Sequence, residues 1–482
     1  MELITDPGVL LAGAAQVRVA LTAAGWSAAA LEEQLGATAR THLDRDELAP
    51  VLRRTADGSP LSTLARLLVV GVPVDVAQAS QAGLPEAWLR EAGQGRVSAV
   101  VRLQPLHVQG IELVVPHDPG RAATGVDPDQ VLGVGAASLT LAAATPRAPV
   151  ARVLDLGTGC GIQALLAANH ARTVVATDRN PRASAYARLA GALNEADLEV
   201  RTGDLLAPVQ GERFDAIVSN PPFVISPGAR YTYRDAGMDA DDVCARLVRE
   251  LPSHLAVGGH AVLLANWLHV EGQDGDQRVR SWFPPEVDGW VVERELAAPE
   301  DYVTAWLRDT DEGPRFDRLY DDWLDWMQAR QVEAVAFGVL ALRRRPPGSG
   351  AGSVVHDDAP QPVAAHWGEE VLAHFARRDA LAGDLLDRAW TVRADVRLHQ
   401  VARATGAGWA AEVQLLQQES GLRWSGGVDE YAATLLAGCD GTRSLGALLA
   451  VLAMSAGLTD GEAAEQVLPV VRQLVVQGFL TP

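Results

Sequence analysis

Val153-Leu154-Asp155-Leu156-Gly157-Thr158-Gly159-Cys160-Gly161-Ile162-Gln163 is an apolar run that ends in an acid, then alternating glycines, then a resumption of apolar residues. It reads as a strand, a tight turn and the start of a helix. Glycine tolerates positive φ and lets another group approach the backbone closely. The helix N-terminus that follows offers N–H donors and the positive end of a dipole. The turn alone leaves two readings open, a dinucleotide site or a plain strand–helix connection packed tightly.

Residues further along separate them. Asp155 stands at the end of the first strand, where it would repel a pyrophosphate; it suits a cationic amino-acid moiety. Asp178 ends the next apolar run, and a carboxylate there can accept from ribose hydroxyls. Gly203-Asp204-Leu205 follows the third run, where a carboxylate can accept from an adenine amino group. An amino acid, a ribose and an adenine together describe S-adenosyl-L-methionine. On its own, Asp178 also reads as a helix N-cap, because Asn180-Pro181 follows it.

The run Phe214-Asp215-Ala216-Ile217-Val218-Ser219 closes on Asn220-Pro221-Pro222-Phe223. Two adjacent prolines cannot continue a ladder, since neither has an N–H to donate and each fixes its own φ. The chain must leave the sheet at Asn220, holding a side-chain carbonyl, a backbone carbonyl and an aromatic ring around one small volume. Such a volume suits a flat group bearing an NH₂.

These motifs, over residues 151–223, resemble class I S-adenosylmethionine-dependent methyltransferases of the branch whose fourth strand ends in (Asn/Asp)-Pro-Pro-(Tyr/Phe). That branch includes release-factor and ribosomal-protein glutamine methyltransferases and nucleic-acid amino methyltransferases. Tyr233-Arg234-Asp235-Ala236-Gly237-Met238-Asp239 and Leu255-Ala256-Val257-Gly258-Gly259-His260 are similar to the segments that follow in the family. The resemblance implies that Asp155, Gly157, Thr158, Gly159 and Gly161 hold the methionine end, Asp178 the ribose, and Asp204 with Leu205 the adenine. It implies that Asn220 Oδ1 and the Pro221 carbonyl accept the two hydrogens of the substrate NH₂, and that Phe223, presented by Pro221 and Pro222, stacks on its planar group. Positioning and electrostatics then carry the rate, with no general base and no metal.

Around this centre, the 482 residues suggest two to four domains. Residues 1–96 read as a helical or winged-helix-like module, with Leu10, Ala14, Val17 and Leu21 at helical spacing and Ser27 as an N-cap. Residues 97–129 read as a β-hairpin bridge. Residues 130–345 alternate strands and helices as a doubly wound, Rossmann-like α/β sheet does, with strands at 152–156, 173–177, 198–202, 214–219 and 260–266. The run 335–342 reads as an edge strand. Residues 346–362, rich in Pro and Gly, read as a linker. Residues 363–482 read as a C-terminal helical, winged-helix-like module, and the sequence around Cys439-Asp440-Gly441-Thr442 resembles small peptide-binding winged-helix domains. The helical module and hairpin ahead of the catalytic domain are similar to the arrangement in glutamine methyltransferases.

Composition narrows the partners. The formal charge of −20 and pI near 5.0 argue against a generally adhesive surface for nucleic acid or anionic membrane. All 41 Lys+Arg residues are arginine, a bias of composition and not a functional signal. Cys160, Cys244 and Cys439 fit neither a zinc site nor a disulfide framework, so a reducing cytoplasm is expected. The acidic N-terminus does not suit a signal peptide, and no apolar stretch is clean enough to span a bilayer. His117, His254 and His260 read as surface or core histidines. Cys160 reads as a small packing residue, Trp323 and Trp326 as a helix packing face, and Arg343-Arg344-Arg345 as a solvated strand end. The expected activity is N-methylation of a macromolecule: a protein glutamine, as on a translation factor, or alternatively an exocyclic amine of RNA or DNA. A scaffold that keeps the fold without the chemistry is a third reading. The sequence says nothing of oligomeric state.

Overall fold

Runs that are apolar on both faces can satisfy themselves only in the middle of a sheet covered on two sides. Here they form one eight-stranded sheet. In chain order its strands are β1 (Val150–Leu156), β2 (Ala171–Asp178), β3 (Leu198–Thr202), β4 (Phe214–Ser219), β5 (Leu255–Val270), β6 (Val287–Ala297), β7 (Val332–Arg344) and β8 (Val354–Asp358). Their spatial order is β8-β6-β7-β5-β4-β1-β2-β3. From β3 through β5 neighbouring strands are parallel, whereas β7 runs antiparallel to β5. The structure is a computed structural model that describes residues 7–43, 45, 47–119, 129–227, 241–309, 315–406 and 408–482. The segment Tyr233 to Asp239 lies outside these.

The chain winds outward from β1 to β3 and then returns to place β4 on the other side of β1. The order therefore reverses between β1 and β4, where Leu156 faces Ser219 in register. In open α/β sheets such a reversal leaves a crevice at the carboxyl ends of the strands. The glycine turn leaves β1 and Asn220-Pro221-Pro222-Phe223 leaves β4, so the topology alone brings the two motifs to one crevice.

The helices of this part of the fold that bear on the site are α1 (Ile162–Ala167), α2 (Pro181–Asn194), α3 (Asp242–Glu250), α4 (Pro299–Asp309) and α5 (Phe316–Ala329). α2 starts as its sequence demands. Asn180 Oδ1 accepts from the Arg182 amide at 2.8 Å, with Pro181 in the first turn. The N-cap is therefore Asn180, not Asp178.

Several expectations about the periphery need correcting. The run 335–342 is not at an edge: β7 lies between β5 and β6, which suits residues buried on both faces. The edge is β8, drawn from the stretch 346–362 that reads as a linker; its Pro and Gly residues flank a strand too short to announce itself. Arg343, Arg344 and Arg345 do not form a solvated strand end. Arg343 and Arg345 pair with the buried Asp288 at 2.7 and 2.8 Å, and Arg344 donates to the Leu255 carbonyl.

The N-terminal part is not a separate body. A 3₁₀ turn Pro7–Gly13 and helices Ala14–Ala23, Ala28–Leu43, Leu48–Arg54 and Pro60–Leu64 are joined by a small three-stranded sheet of Val74–Asp75, Arg96–Ala99 and Leu89–Glu91. Leu10, Ala14, Val17 and Leu21 share one core with Leu165 of α1 and Tyr186, Leu189 and Leu193 of α2. The apolar outer face of α2 needs a cover, and these helices supply it. The hairpin pairs Arg102–Val108 with Ile111–His117, while Arg96–Ala99 joins the small sheet instead.

Contact clustering divides the chain into a unit containing this core and sheet and a second unit of residues 143–148, 292–294 and 357–482. The second unit holds a three-stranded sheet of Asp440–Ser444, Ala389–Val392 and Leu480–Thr481, with helices Glu430–Gly438, Leu445–Ala456 and Asp460–Val476 around Trp390. It also carries a long hairpin, Val396–Thr405 with Gly408–Gln418, whose polar and apolar residues mix on both faces and give no clean alternation. Among the described residues no single helix is long and apolar enough to cross a membrane.

Candidate active site

The crevice between β1 and β4 is a cavity of about 720 Å³. Gly157, Thr158, Gly159, Asp178, Asp204, Leu205, Asn220, Pro221, Pro222 and Phe223 all line it. Residues 60 positions apart thus meet around one space.

The floor is made by the glycine turn. The amides of Gly157 and Thr158 donate to the Thr177 carbonyl at 2.9 Å, and Ser219 Oγ donates to the Leu156 carbonyl at 2.9 Å. These bonds lock the ends of β1, β2 and β4 together. Asp178 then accepts from the Gly159 amide through Oδ2 and from the Asn180 amide through Oδ1, each at 2.9 Å. Burial pushes its carboxyl above the ordinary aspartate range, and the two amides pull it back. Each oxygen keeps a further lone-pair direction for a ligand hydroxyl. Beyond β3, Asp204 is exposed and Leu205 sits at φ +44, a left-handed conformation unusual for leucine. Such backbone outliers cluster where a ligand is held.

Two sequence-expected residues do not reach the cavity. Asp155 is 1% exposed, and its Oδ2 accepts from Thr158 Oγ1 at 2.6 Å and the Ala164 amide at 2.9 Å. It ties the turn to α1 and acts as a positioning residue. Gly161, at φ +90, lies where an added Cβ would come within 3.2 Å of Ala187 Cα, so it serves the approach of α1 to α2.

Asn220 lines the cavity with a buried Oδ1 that has no hydrogen-bond partner among the described residues. Phe223 stands beside Trp306 of α4, ring centroids 6.3 Å apart and edge to face, and beside Phe337 of β7 at 5.7 Å. The chain after the motif is strapped down. The Ile225 amide donates to Tyr302 Oη at 2.9 Å, and Trp323 Nε1 donates to the Ile225 carbonyl at 3.1 Å. Trp323 is thus a packing residue with a definite task, holding the exit of the motif.

Sequence reasoning missed Gln130 to Gly133, Gln163, Arg179, Arg246 and Trp306, which also line the cavity. Apart from Gln163, which closes the glycine-turn stretch without a role read for it, none lies in a motif. The first group is placed by Asp118, which is buried and accepts from the Val131 amide, from Arg182 Nε at 2.8 Å and from Tyr186 Oη at 2.7 Å. Only the α2 pattern Arg182-x-x-x-Tyr186, one helical turn, hinted at a shared acceptor.

A family model described as Methyltransferase small domain matches residues 132–270, the segment that supplies most of this cavity's lining. This segment is a methyltransferase small domain. The flanks match two models described only as domains of unknown function, DUF7059 over residues 23–101 and DUF7782 over residues 372–482. The chain is 39% identical over 126 residues to the ribosomal protein uL3 glutamine methyltransferase of Bradyrhizobium diazoefficiens, covering 23% of this chain and 39% of that one. It is 40% identical over 130 residues to the release factor glutamine methyltransferase of Cereibacter sphaeroides, covering 24% and 46%. It is 32% identical over 150 residues to the tRNA1(Val) (adenine(37)-N6)-methyltransferase of an Enterobacter species, covering 30% and 55%. The chain spans about half the length of the curated relatives it matches.

The cofactor of the methyltransferase domain is S-adenosyl-L-methionine, and the residues present fit it. Two buried side-chain oxygens of cavity-lining residues besides Asn220 Oδ1 lack partners among the described residues: Gln163 Oε1 and Thr177 Oγ1. Together with Asp178 and Asp204 they make a wall of acceptors, which suits a ligand rich in hydroxyl, amino and ammonium donors.

Proposed function

We propose that the chain is an S-adenosylmethionine-dependent N-methyltransferase acting in the cytoplasm on a macromolecule, and that the acceptor is the side-chain amide of a protein glutamine. The observation that carries this reading is the buried, unpartnered Oδ1 of Asn220 next to two prolines and an aromatic wall. An unpaired buried acceptor costs about 1–3 kcal/mol, so it is kept where a ligand donor completes it.

When bound, the cofactor supplies an electrophilic methyl group on a sulfonium. The protein's part is to orient the acceptor. Asn220 Oδ1 and the Pro221 carbonyl accept the two amide hydrogens, which draws the nitrogen toward sp³ and turns its lone pair to the methyl. Phe223, with Trp306 at its edge, keeps the amide plane fixed and water out. The nitrogen exchanges one proton, released to solvent, for the methyl, and no base of its own is needed.

A neutral amide is favoured over a nucleotide by charge. Among the described cavity-lining residues the cations are Arg179 and Arg246, and Arg246 is held by Glu250 at 2.8 Å. Phosphate recognition calls for several such groups. The aromatic pair Phe223–Trp306 supports a second reading, an exocyclic amine of an RNA base, which stacks well on such rings. Two glutamine-methylating relatives and one tRNA-methylating relative stand on the two sides.

Labelling cell-extract protein and RNA fractions with methyl-labelled S-adenosylmethionine separates these. The glutamine reading expects label that protease removes and nuclease leaves. Label lost to nuclease alone makes the base the acceptor. The variant Asn220→Ala is expected to keep S-adenosylhomocysteine binding and lose transfer; loss of binding in a folded variant would assign Asn220 to the cofactor instead.

A further inference from the structure

Gln163 is the second residue of α1, surrounded in sequence by apolar residues and 3% exposed. Nothing in a helix core calls for an amide there. Its Nε2 donates to the Ser138 carbonyl at 2.7 Å, and this bond fixes which way the amide is turned. Oε1 is left buried and without a partner among the described residues. Gln163 and Ser138 both line the cavity.

The donors of the cofactor can be matched to acceptors one by one. The ribose hydroxyls belong with Asp178, at the end of β2, and the adenine amino group with Asp204, beyond β3. The α-ammonium remains. Asp155, the acid that the motif offers for it, is already spent on Thr158 and Ala164 and does not line the cavity. Asp155 therefore offers the α-ammonium no acceptor in the cavity lining, while the pre-oriented Gln163 Oε1, on a cavity-lining residue, lacks a donor among the described residues.

We propose that Gln163 Oε1 accepts a hydrogen bond from the α-ammonium of the cofactor and so makes the site selective for a nucleoside that carries an intact amino acid. The proposal rests on the reading of the cavity as the S-adenosylmethionine site. Ser138 is the positioning partner, since its carbonyl takes the amide nitrogen and leaves only oxygen for the ligand. A charge-assisted hydrogen bond in a buried setting is among the stronger ones available to a site.

The test is a calorimetric titration of wild type, Gln163→Leu and Gln163→Glu with two probes. S-Adenosylhomocysteine carries the ammonium; 5′-methylthioadenosine keeps the nucleoside and lacks the amino acid. The leucine variant is expected to bind S-adenosylhomocysteine about tenfold or more weakly and methylthioadenosine within about twofold of wild type. The glutamate variant, which keeps an acceptor, is expected to bind S-adenosylhomocysteine more tightly than the leucine variant does. If the leucine variant fails to fold, Gln163→Met, which keeps the length and removes the acceptor, takes its place. Equal weakening of both probes would reduce Gln163 to packing, and unchanged S-adenosylhomocysteine affinity would remove it from the site; either overturns the proposal and leaves the cavity reading intact. Wild type that binds neither probe overturns both.

Discussion

The Gly159 amide donates to Asp178 Oδ2 at 2.9 Å, so the glycine turn after β1 and the acid at the end of β2 form one rigid corner of the cavity. The corner has a titratable member whose burial raises its pKa. Asp178→Ala is expected to weaken S-adenosylhomocysteine binding roughly ten- to a hundredfold, the range for a lost hydrogen bond to a charged group. Its thermal unfolding should shift far less. Because the carboxylate is the better acceptor and its pKa is raised, wild-type affinity should begin to fall on acidification at a higher pH than an ordinary aspartate would dictate. Titration calorimetry of both proteins from pH 7 to pH 4.5 checks both points; a pH-independent affinity in wild type would separate Asp178 from the ligand.

Asp118 links the far end of the hairpin to the cavity wall. Its side chain is fully buried, pairs with Arg182 and holds the Val131 amide. Removing one member of a buried pair strands the other, at a cost of about 3–5 kcal/mol. Asp118→Ala should lose that much stability in urea unfolding, and Asp118→Ala with Arg182→Leu should recover a substantial part. The double variant should still bind cofactor more weakly than wild type, because Val131 and its neighbours have lost their tether. Full recovery of affinity in the double variant would show that the wall stands without Asp118.

Most of the centre of this molecule was legible in the sequence because the chemistry and the topology share the same residues. Asp178 ends β2, Asn220 directly follows β4 and Asp204 lies two residues beyond β3, and strand ends are where an α/β sheet places ligands. Asp155 misled because an acid in a motif can serve the turn as easily as the ligand; only its bonds to Thr158 and Ala164 distinguish the two. Trp306 and Val131 were invisible for another reason. They reach the cavity through tertiary packing, by α4 and by the Asp118 bonds, and no local spacing encodes that. β8 and the small N-terminal sheet were missed because strands of two to five residues carry too little pattern to separate from loop.

His117 and His260 give the fold an acid limit. Burial pushes each down to about 4 from an ordinary value of 6.5, with the Arg102 charge adding to the effect at His117 and the His170 charge at His260. Between those values the unfolded chain takes up protons that the native state refuses, so stability must rise with pH across the window and fall as pH drops through it. Each histidine contributes on the order of 3 kcal/mol by pH 4. Urea unfolding of wild type at pH 7, 6, 5 and 4.5 should show a steepening loss, and His260→Leu should show a shallower one. Parallel curves for the two proteins would remove His260 from the account.

The glycines of the turn should separate into two kinds. Gly161 sits at φ +90, and a Cβ there would come within 3.2 Å of Ala187 Cα and 3.3 Å of the Ala190 side chain. Gly161→Ala therefore combines a left-handed backbone penalty of about 1–2 kcal/mol with overpacking of similar size. Gly159 sits at φ +54 with nothing within 4 Å of an added Cβ, and it lines the cavity. Gly159→Ala bears only the backbone penalty, but its methyl enters the cavity proposed to hold the cofactor. Thermal unfolding and S-adenosylhomocysteine titration of the two variants should give opposite rankings: Gly161→Ala the less stable, Gly159→Ala the weaker binder relative to its stability. If Gly159→Ala binds the cofactor as wild type does, the ligand does not lie against the turn.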